Sequence, residues 1–358
     1  MSSMPARTAE RRMPAEWEPH EATWIAWPHE PTDWPGKLAP IAWVYAEIVR
    51  AISLSERVEI LCKDEAIREE ARACLKLHRV PENGFRLHLV PNDRGWLRDS
   101  LPTGVHNHEG ELEWVRWKFS AWAKYDNFSA DALVGEAVQK ISGKKIITAL
   151  RPDAQLPLTL EGGAIDVDGL GTLLTTEECL LSTEQERNPG LDRAGYEACF
   201  AEYLGVTHTI WLGSGCAGDD THGHVDDIAR FVAPGQVVLA YEGDTSESNH
   251  AASADNLKRL QSAKDARGHS LEITLLPMPR PIWFGDERLP ASYANFYIAN
   301  TLVVVPTFND PADTVAINAL QKLFPSRKVI GIHALDLVLG QGTLHCLSQQ
   351  QPKKRAKT

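Results

Sequence analysis

The feature that most constrains the fold of this chain is a regular alternation of short strands and helices along its 358 residues. Helices are predicted to begin near residues 64, 129, 190, 248 and 312, so successive starts lie roughly 60 residues apart. A near-constant step of this size indicates one β/α unit repeated five times. An ordinary alternating α/β sheet, whose helices also recur at regular intervals, is the alternative that the spacing leaves open.

Both kinds of element are read from their hydrophobic pattern. Alternating apolar and β-branched residues predict strands over 23–27, 57–62, 85–90, 145–149, 171–175, 236–241, 271–276, 301–306 and 328–332. Apolar residues at helical spacing predict helices over 41–53, 64–77, 129–141, 190–204, 248–267 and 312–324. Asp64, Ser129 and Asp313 stand where N-caps or first-turn acids belong. The pattern is that of an α/β protein.

The composition indicates one globular domain. Hydrophobic residues make up 43% of the chain and charged residues 24%, which is ordinary for a globular protein with a sizeable core. No Gly/Ser linker or change of composition divides the chain. We therefore expect a single domain over residues 13–352, with flexible tails at 1–12 and 353–358.

Charge and hydropathy exclude several classes of function. The net charge of −11 argues against nucleic acid as the main partner and is compatible with a cationic ligand. No stretch approaches the roughly 20 apolar residues that span a bilayer. The start of the chain lacks the apolar segment of a secretory signal, and the six cysteines form no C-x-x-C pair. We therefore expect reduced thiols in a cytoplasmic protein.

One cysteine stands apart because of the residues that precede it. Cys346 follows the run Gly340-Gln341-Gly342-Thr343, and glycines let a backbone come close to a ligand without a Cβ in the way. A thiol delivered after such a turn is placed as a nucleophile would be. The ordinary alternative is an inert packing residue, because free cysteines are among the most buried residues.

Three further segments recur at the interval of the repeat. They contain Asp99, Glu161 and the pair His224 and Asp226, and the first three of these residues are spaced roughly 60 positions apart. Cys346 follows His224 after about twice that distance. If five repeats close into a ring, the four segments fall at equivalent points of different units. They would then converge at one end of a central channel.

The chemistry that such a set supports is specific to a guanidino group. A guanidinium is planar and carries five N–H donors, which carboxylates bind in pairs. Asp99 and Asp226 can hold its two edges and keep the central carbon over the Cys346 thiolate. Glu161 can orient His224 and favour its protonated form. His224 can then assist the thiolate and pass protons to the leaving ammonia.

Each of these residues also has an ordinary structural explanation. Asp99 beside Arg98 resembles a loop ion pair. Glu161 resembles a turn acid, Asp226 a helix cap and His224 a satisfied core histidine. The common spacing favours one joint function over this set of separate explanations.

Two other functions compete with that hypothesis. His222, His224 and Asp226 form an H-x-H-x-D run that resembles the zinc-binding run of metallo-β-lactamase-type hydrolases. The resemblance then fails, because Asp227 stands where that family has another histidine. A guanidine-binding module without catalysis is the second competitor, and it would need neither the thiol nor His224.

The residues around this constellation resemble those of a known family. Matching stretches run nearly from end to end: residues 13–21 (MPAEWEPHE), Trp24, Trp27-Pro28, 96–99 (WLRD), 161–165 (EGGAI), 172–181 (TLLTTEECLL), 187–189 (RNP), 223–226 (GHVD) and 345–350 (HCLSQQ). In these stretches the chain resembles agmatine deiminases and bacterial, Porphyromonas-type peptidyl-arginine deiminases. Both belong to the guanidino-group-modifying (pentein) superfamily. So many matches in the same order are highly specific.

The resemblance implies a fold and a mechanism. The fold would be the pentein fold, a five-bladed pseudo-symmetric α/β propeller. Cys346 would form a covalent amidino-thioether, with His224 as acid and base and Glu161 in support. Asp99 and Asp226 would bind the guanidinium. No metal or organic cofactor is expected.

The resemblance also implies the reaction and a choice of substrates. The enzyme would hydrolyse a C–N bond of a guanidino substrate, with agmatine as the leading candidate, to give N-carbamoylputrescine and ammonia. Peptidyl-arginine, another alkylguanidine, or transfer of the amidino group to an amine are the alternatives. Trp96 would line the substrate channel. Arg94 is a candidate receptor for a substrate carboxylate, although an exposed loop arginine is favoured. A small cationic substrate, and neither nucleic acid nor membrane, is the expected partner, and a homo-oligomer is left open.

Several loops depart from the family pattern. Residues 93–96 (DRGW) carry one residue more than the usual Asp-x-Trp. Leu101 stands before a proline where relatives have glycine, and Asp166 replaces a frequent histidine. We expect such loops to shape the channel around the far end of the substrate.

Overall fold

The computed structural model describes residues 10–355, which form a mixed α/β protein. The α-helices are α1 Leu38–Ile52, α2 Glu65–Leu77, α3 Leu97–Ser100, α4 Val134–Ser142, α5 Glu177–Leu181, α6 Arg193–Cys199, α7 Asn249–Ser262 and α8 Ala312–Leu323. The strands are β1 Arg11–Arg12, β2 His20–Ala26, β3 Arg57–Cys62, β4 Phe85–Leu89, β5 Thr103–Asn107, β6 Leu112–Arg116, β7 Lys145–Thr148, β8 Asp166–Val167, β9 Thr172–Thr176, β10 His208–Leu212, β11 Ala229–Ala233, β12 Gln236–Tyr241, β13 Glu272–Pro277, β14 Ile282–Phe284, β15 Glu287–Leu289, β16 Tyr297–Ile298, β17 Leu302–Thr307, β18 Lys328–His333 and β19 Gln349–Pro352. The outer parts of the predicted tails, 1–9 and 356–358, lie outside the described residues.

Five sheets of three or four strands share one topology within residues 10–355. In each of them an antiparallel pair is followed by a parallel pair whose crossover contains a helix. These pairs are β5–β6 with β6–β7, β8–β9 with β9–β10, β11–β12 with β12–β13, β16–β17 with β17–β18, and β19–β2 with β2–β3. The hairpin β14–β15 stands apart. The predicted repeat therefore takes the form of five small sheets, and the alternative of one continuous alternating sheet is wrong.

Helix α2 shows why the helical pattern could be read from the sequence. Asp64 caps it as predicted, because its side chain accepts a hydrogen bond from the backbone N–H of Ile67 at 2.9 Å. Ala71 and Leu75 lie one turn apart and are buried, while most of the other side chains of α2 face solvent. The other first-turn acid, Asp313, lies in the first turn of α8. Local sequence rules are sufficient for both helices.

Two predicted helices have different ends in the structure. Helix α4 begins at Val134 rather than at 129, because Asp131 turns back to accept hydrogen bonds from the backbone N–H groups of Asp93 and Arg94 at 2.9 and 3.1 Å. Helix α7 ends at Ser262 rather than at 267, because Asp265 nucleates a turn in the following residues. Contacts distant in sequence override the helical pattern in the first case, and local turn chemistry does so in the second.

The two ends of the chain are incorporated into sheets. Strand β1 pairs with β5, and β19 pairs with β2, so residues near both termini complete sheets of the fold. The backbone N–H groups of Lys353 and Arg355 donate to the carbonyls of Pro19 and Gly110 at 2.8 and 3.0 Å. Residues next to both predicted domain boundaries therefore find backbone partners that a sequence does not reveal.

Apolar side chains fill the space between the sheets and their helices. Trp24, Trp27, Trp34 and Trp114 are among the largest fully buried side chains. All six cysteines are free thiols, in agreement with the prediction from their spacing. Among the described residues, no helix combines the length and the hydropathy needed to cross a membrane.

Candidate active site

The predicted site residues lie at corresponding points of different sheets. Asp99 is in α3, just before β5, and Glu161 precedes β8. His224 stands at the start of a short 3₁₀ turn before β11, and Cys346 precedes β19. Each of these strands opens the antiparallel pair of its sheet. All four residues therefore lie in the segment that leads into the first strand of an antiparallel pair.

Gly163 is the point where three of these side chains meet. A Cβ added to it would lie 2.5 Å from His224 Nδ1 and 3.1 Å from both Asp226 Oδ2 and Asp99 Oδ1. Real Cβ atoms do not approach other atoms as closely as 2.5 Å, so a side chain at this position would displace the histidine. The Gly-Gly pair after Glu161 is therefore required by the close approach of the site residues.

Asp99 is held by two donors at the bottom of the site. Its Oδ1 accepts from the backbone N–H of Gly163 at 3.0 Å, and its Oδ2 accepts from Trp122 Nε1 at 2.8 Å. Burial raises the pKa of Asp99 to about 6, with Asp226 and Glu161 adding to the increase and His224 opposing it. Asp99 is thus a buried carboxyl group held in place by two donors.

Trp122 reaches Asp99 from a strained stretch of backbone. Ala121, Trp122 and Ala123 have φ angles of 47°, 59° and 54°, in the left-handed region that non-glycine residues avoid. Strain of this kind persists only where the surrounding structure holds it in place. Here the indole N–H that bonds to Asp99 and the buried packing of Trp122 provide that support.

His224 lies between two carboxylates and is fully buried. Its Nδ1 is 3.9 Å from Asp99 Oδ1, and its Nε2 is 3.7 Å from Glu161 Oε2. Both distances exceed a hydrogen bond, and neither ring nitrogen has a hydrogen-bond partner. Burial alone would lower the pKa of His224, but Asp99, Cys179 and Glu161 outweigh it and hold the pKa well above 6.5. The ring is therefore an imidazolium with protons available to a ligand.

Glu161 is kept ionised by an arginine. Arg187 Nε donates to Glu161 Oε1 at 3.1 Å, and both side chains are fully buried. Burial would raise the pKa of Glu161, but Arg187 and His224 overcome that effect and hold it below its usual value. Because the carboxylate keeps its charge, it can stabilise the imidazolium of His224.

Asp226 presents one occupied and one free oxygen. Its Oδ2 accepts from His345 Nδ1 at 2.6 Å, whereas its Oδ1 is buried and has no hydrogen-bond partner. Burial would raise the pKa of Asp226, but His345, His224 and Arg230 reverse the shift and lower it. An ionised carboxylate with a buried, unpaired oxygen is a receptor for an N–H donor.

Cys346 is a buried thiol surrounded by acceptors and one donor. Its Sγ receives a hydrogen bond from Asn295 Nδ2 at 2.9 Å and lies 3.8 Å from Asp226 Oδ2. Burial raises the pKa of the thiol well above 9, and Asp226, Asp227 and Asp99 raise it further. These surroundings therefore favour the neutral thiol over the thiolate.

The glycines before Cys346 serve the packing of the nucleophile loop. A Cβ on Gly340 would lie 2.6 Å from the Trp96 ring, and one on Gly342 would lie 2.9 Å from Cys346 Cβ and 3.0 Å from Trp96. The two glycines therefore allow the loop to pack closely against the Trp96 indole. Trp96 itself is fixed by a hydrogen bond from its Nε1 to Asp33 Oδ2 at 3.0 Å.

A cavity of about 200 Å³ leads from the surface to this thiol. Asp99 and Cys346 lie at its buried end, which we call the floor, and Trp96 and Trp122 form its walls. Exposed residues of the 32–35 loop and of the β14–β15 hairpin form its mouth. Trp96 therefore lines this cavity, and its contact with a substrate stays a prediction.

Arg94 differs from its sequence interpretation. It is buried rather than exposed, and its guanidinium pairs with Asp33. It also bonds to Asn127 at 3.0 Å and lies 4.0 Å above the Tyr125 ring. Arg94 is thus already occupied, and it builds the cavity wall instead of offering a free charge to a substrate carboxylate.

His222 does not join His224 and Asp226 in a metal cluster. Its Nε2 bonds to Ser182 Oγ at 3.1 Å, and its ring faces Glu178 and Glu184. Within residues 10–355, the groups of close potential ligands are Glu161 with Cys179 and His224, and Asp226 with Asp227 and Cys346. The H-x-H-x-D run therefore lacks the geometry of the zinc-binding hypothesis.

Sequence reasoning missed several residues of this site. Asn295 lies before β16, the opening strand of the remaining sheet, and bonds to Cys346 and to Asp227. The double interval between His224 and Cys346 is the signal that could have revealed it, because one unit of the repeat had no assigned residue. Trp122 and His345 carry no comparable signal, since their roles depend on the folded arrangement.

Comparisons with known proteins agree with this geometry. Residues 12–352 match the family model of the Porphyromonas-type peptidyl-arginine deiminases. The agmatine deiminase of Ectopseudomonas mendocina (strain ymp) is 37% identical over 95% of each chain. The structure of the agmatine deiminase of Enterococcus faecalis superposes with a TM-score of 0.88 at 32% identity, covering 97% of both chains. A cysteine-to-serine variant of the C. jejuni agmatine deiminase with substrate bound gives 0.86 at 26% identity, covering 99% of both.

These similarities establish the fold class and the family of the chain. High TM-scores over nearly the whole length assign the chain to the pentein fold, with its mixed α/β content. The chain belongs to the Porphyromonas-type peptidyl-arginine deiminase family, which includes the agmatine deiminases that it resembles. The resemblance noted from the sequence motifs is thereby confirmed.

Proposed function

We propose that this protein is an agmatine deiminase, a hydrolase that converts agmatine and water to N-carbamoylputrescine and ammonia. The observation that carries the proposal is a pair of buried carboxylates, Asp99 and Asp226, next to a buried thiol, Cys346, and an unpartnered imidazolium, His224. The relatives named agmatine deiminase support the choice of substrate.

Binding follows from charge and shape at the floor of the cavity. Asp99 and Asp226 are buried acids that approach each other at Gly163, and Asp226 Oδ1 has no hydrogen-bond partner. A guanidinium supplies a positive charge and a planar set of N–H donors for such a pair. Bound between the two carboxylates, it would place its central carbon next to Cys346 Sγ.

Substrate binding would also activate the nucleophile. The same carboxylates that raise the pKa of Cys346 become neutralised when the cation binds, so the pKa of the thiol falls. The thiol releases its proton to solvent when the substrate binds, and the thiolate is the reactive form.

The reaction then takes place in two balanced halves. Cys346 Sγ forms a bond to the guanidinium carbon, His224 gives a proton to one nitrogen, and that C–N bond breaks to release ammonia. An amidino-thioether remains on the cysteine. His224 next takes a proton from water, whose oxygen bonds to the same carbon. The C–S bond breaks, leaving the urea and restoring the thiol. Glu161 stabilises the charged form of His224 during both halves.

The mouth of the cavity favours an amine over a carboxylate at the far end of the substrate. Asp33, Asp220 and Glu287 all line it. Asp33 pairs with Arg94, and Asp220 accepts from Lys124 Nζ at 3.2 Å. The side chain of Glu287 is exposed and has no ion-pair partner among the described residues. An ammonium group is attracted to such a mouth, whereas the α-carboxylate of arginine is repelled.

The finer architecture is also part of the proposal. Five sheets of equal topology, with the strands near the two chain ends paired in one of them, support a five-bladed α/β propeller that closes on itself. Asp99, Glu161, His224, Asn295 and Cys346 would then face the centre from five blades. We take residues 13–352 as one catalytic domain, without a cofactor, working in the cytoplasm.

Formation of ureido product from agmatine, arginine and an arginyl peptide tests this function. The enzyme is treated with a chelator first, so that turnover cannot depend on a removable metal. The proposal predicts strong turnover of agmatine and little of the other two. Preference for the arginyl peptide would mean that the protein is a peptidyl-arginine deiminase, the activity for which the family model is named. If none of the three compounds gave a ureido product, the proposal would be overturned.

A further inference from the structure

Glu16 is a buried acid that the mechanism above does not use. It belongs to the segment before β2, yet its Oε2 lies 2.7 Å from His345 Nε2 and 2.8 Å from Arg230 Nη2. Its Oε1 accepts from the backbone N–H of Ile298 at 2.7 Å. Burial would raise the pKa of Glu16, but Arg230, His345 and Arg98 hold it well below its usual value. Glu16 is therefore a carboxylate whose position is fixed by several partners.

His345 connects Glu16 to the substrate site through one hydrogen bond on each side of its ring. Its Nε2 faces Glu16, and its Nδ1 is 2.6 Å from Asp226 Oδ2. The ring is thereby held between two acids, and it occupies Oδ2 of Asp226. The oxygen that remains, Oδ1, is the unpaired one.

Arg98 connects Glu16 to the other half of the site. Its Nη2 is 3.6 Å from Glu16 Oε2, and its Nε donates to the His345 carbonyl at 3.3 Å. Its backbone N–H donates to the Cys346 carbonyl at 3.1 Å. Arg98 directly precedes Asp99 in the chain, so the same buried network touches both guanidinium-binding carboxylates and the nucleophile loop.

We propose that Glu16 is a positioning residue of the guanidinium site, which acts through His345 to hold the carboxylate of Asp226 in place beside Cys346 Sγ. The inference rests on the proposed function for its substrate. Glu16 itself does not contact the guanidinium. Removing its charge releases one side of His345, and the carboxylate of Asp226 is then free to rotate. The expected loss is in binding of the cation, since a misdirected receptor weakens the ground-state complex as well as the transition state.

The test compares Glu16→Gln with a matched control. Glu59→Gln removes the charge from another buried carboxylate that bonds to a histidine, His88 Nε2 at 2.6 Å, and whose other hydrogen bond is to Arg57. We expect Glu16→Gln to lower kcat/KM for agmatine roughly 10- to 100-fold, mainly through KM. Glu59→Gln should lower the melting temperature but leave kcat/KM within about twofold. An equal change of kcat/KM in both variants would overturn the proposal.

A second pair of variants keeps the test valid if Glu16→Gln folds poorly. Asparagine in place of His345 keeps a donor near the position of Nδ1, whereas leucine keeps none. We expect His345→Asn to retain at least about tenfold more kcat/KM than His345→Leu at similar melting temperature. Equal losses would mean that the histidine only packs, and the positioning role would be wrong.

Alkylation of Cys346 separates this inference from the proposed function. Chloroacetamidine is cationic and needs the two carboxylates, and iodoacetamide is neutral; in each case the thiolate displaces halide and forms a thioether. Glu16→Gln should slow the first reagent at least about tenfold and the second less than about twofold. Equal slowing of both, or of neither, contradicts the inference. If the unmodified enzyme does not turn over agmatine, the proposed function fails while this comparison remains decisive.

Discussion

The floor and the mouth of the cavity are built in opposite ways. At the floor and directly behind it, Asp99, Cys346 and Asp226 lie on connections to three different sheets, and each is buried and bonded to a fixed neighbour. At the mouth, the exposed residues Thr32 and Pro35 face the β14–β15 hairpin, whose Glu287 has no partner among the described residues. The floor therefore sets which functional group reacts, and the mouth sets what that group is attached to.

The largest effect is expected from the nucleophile. Cys346→Ser should lower kcat for agmatine at least about 1000-fold, because a hydroxyl is not deprotonated by the neutralisation that activates a thiol. The melting temperature should change little, since the two side chains differ by one atom. Steady-state turnover and thermal unfolding measure both quantities. Substantial remaining turnover would show that the Cys346 thiol at the floor is not the nucleophile.

The close approach at Gly163 gives the next largest effect. Gly163→Ala places a methyl group 2.5 Å from His224 Nδ1 and displaces the imidazolium, so we expect kcat/KM to fall roughly 100-fold. Gly243→Ala is the control, because a Cβ there has no atom within 4 Å. Kinetics of both variants with agmatine test the difference. Equal activity of the two variants would mean that His224 can be displaced without loss of activity, which would contradict its proposed role.

The acid limb of the pH profile tests the charge on the floor. Asp99 must be ionised to bind a cation, and burial raises its pKa to about 6. Lowering the pH through that value protonates it, so kcat/KM should be lost as the pH falls below about 6 and should be complete above it. Asp226, whose pKa is lowered, should not set this limb. In Asp99→Asn the remaining activity should lack the limb near 6, and an unchanged limb would assign it to another group.

The mouth should respond more weakly than the floor. Glu287→Gln should raise KM for agmatine roughly 3- to 10-fold at low salt and leave kcat nearly unchanged, because an exposed charge attracts the ammonium without touching the reacting carbon. Asp286→Asn removes a charge from the same hairpin turn, outside the cavity lining, and serves as the control. If the two variants behave alike, the mouth acts only through its overall charge.

The contrast between the two regions also shows what the sequence could reveal. Asp99, Glu161, His224 and Cys346 were predictable because the repeat places them at a common interval and the family motifs surround them. Asn295 lies well off the midpoint between His224 and Cys346 and has no distinctive neighbours, so the interval alone does not locate it. Local rules likewise placed the cap of α2 at Asp64.

Other features depend on contacts that the sequence does not encode locally. Trp122 reaches Asp99 only because three residues adopt left-handed backbone angles, and Arg94 is buried only because Asp33 lies opposite. The start of α4 moved to Val134 because Asp131 is captured by a distant loop. Such pairings join residues far apart in the chain, so periodicity and motifs cannot locate them.

Mass spectrometry of the enzyme quenched during turnover of agmatine tests the central claim most directly. The account predicts an amidino group attached to the peptide that contains Cys346, transient in the native protein and absent when substrate is omitted. Rapid turnover with Cys346 never modified would contradict covalent catalysis by this thiol.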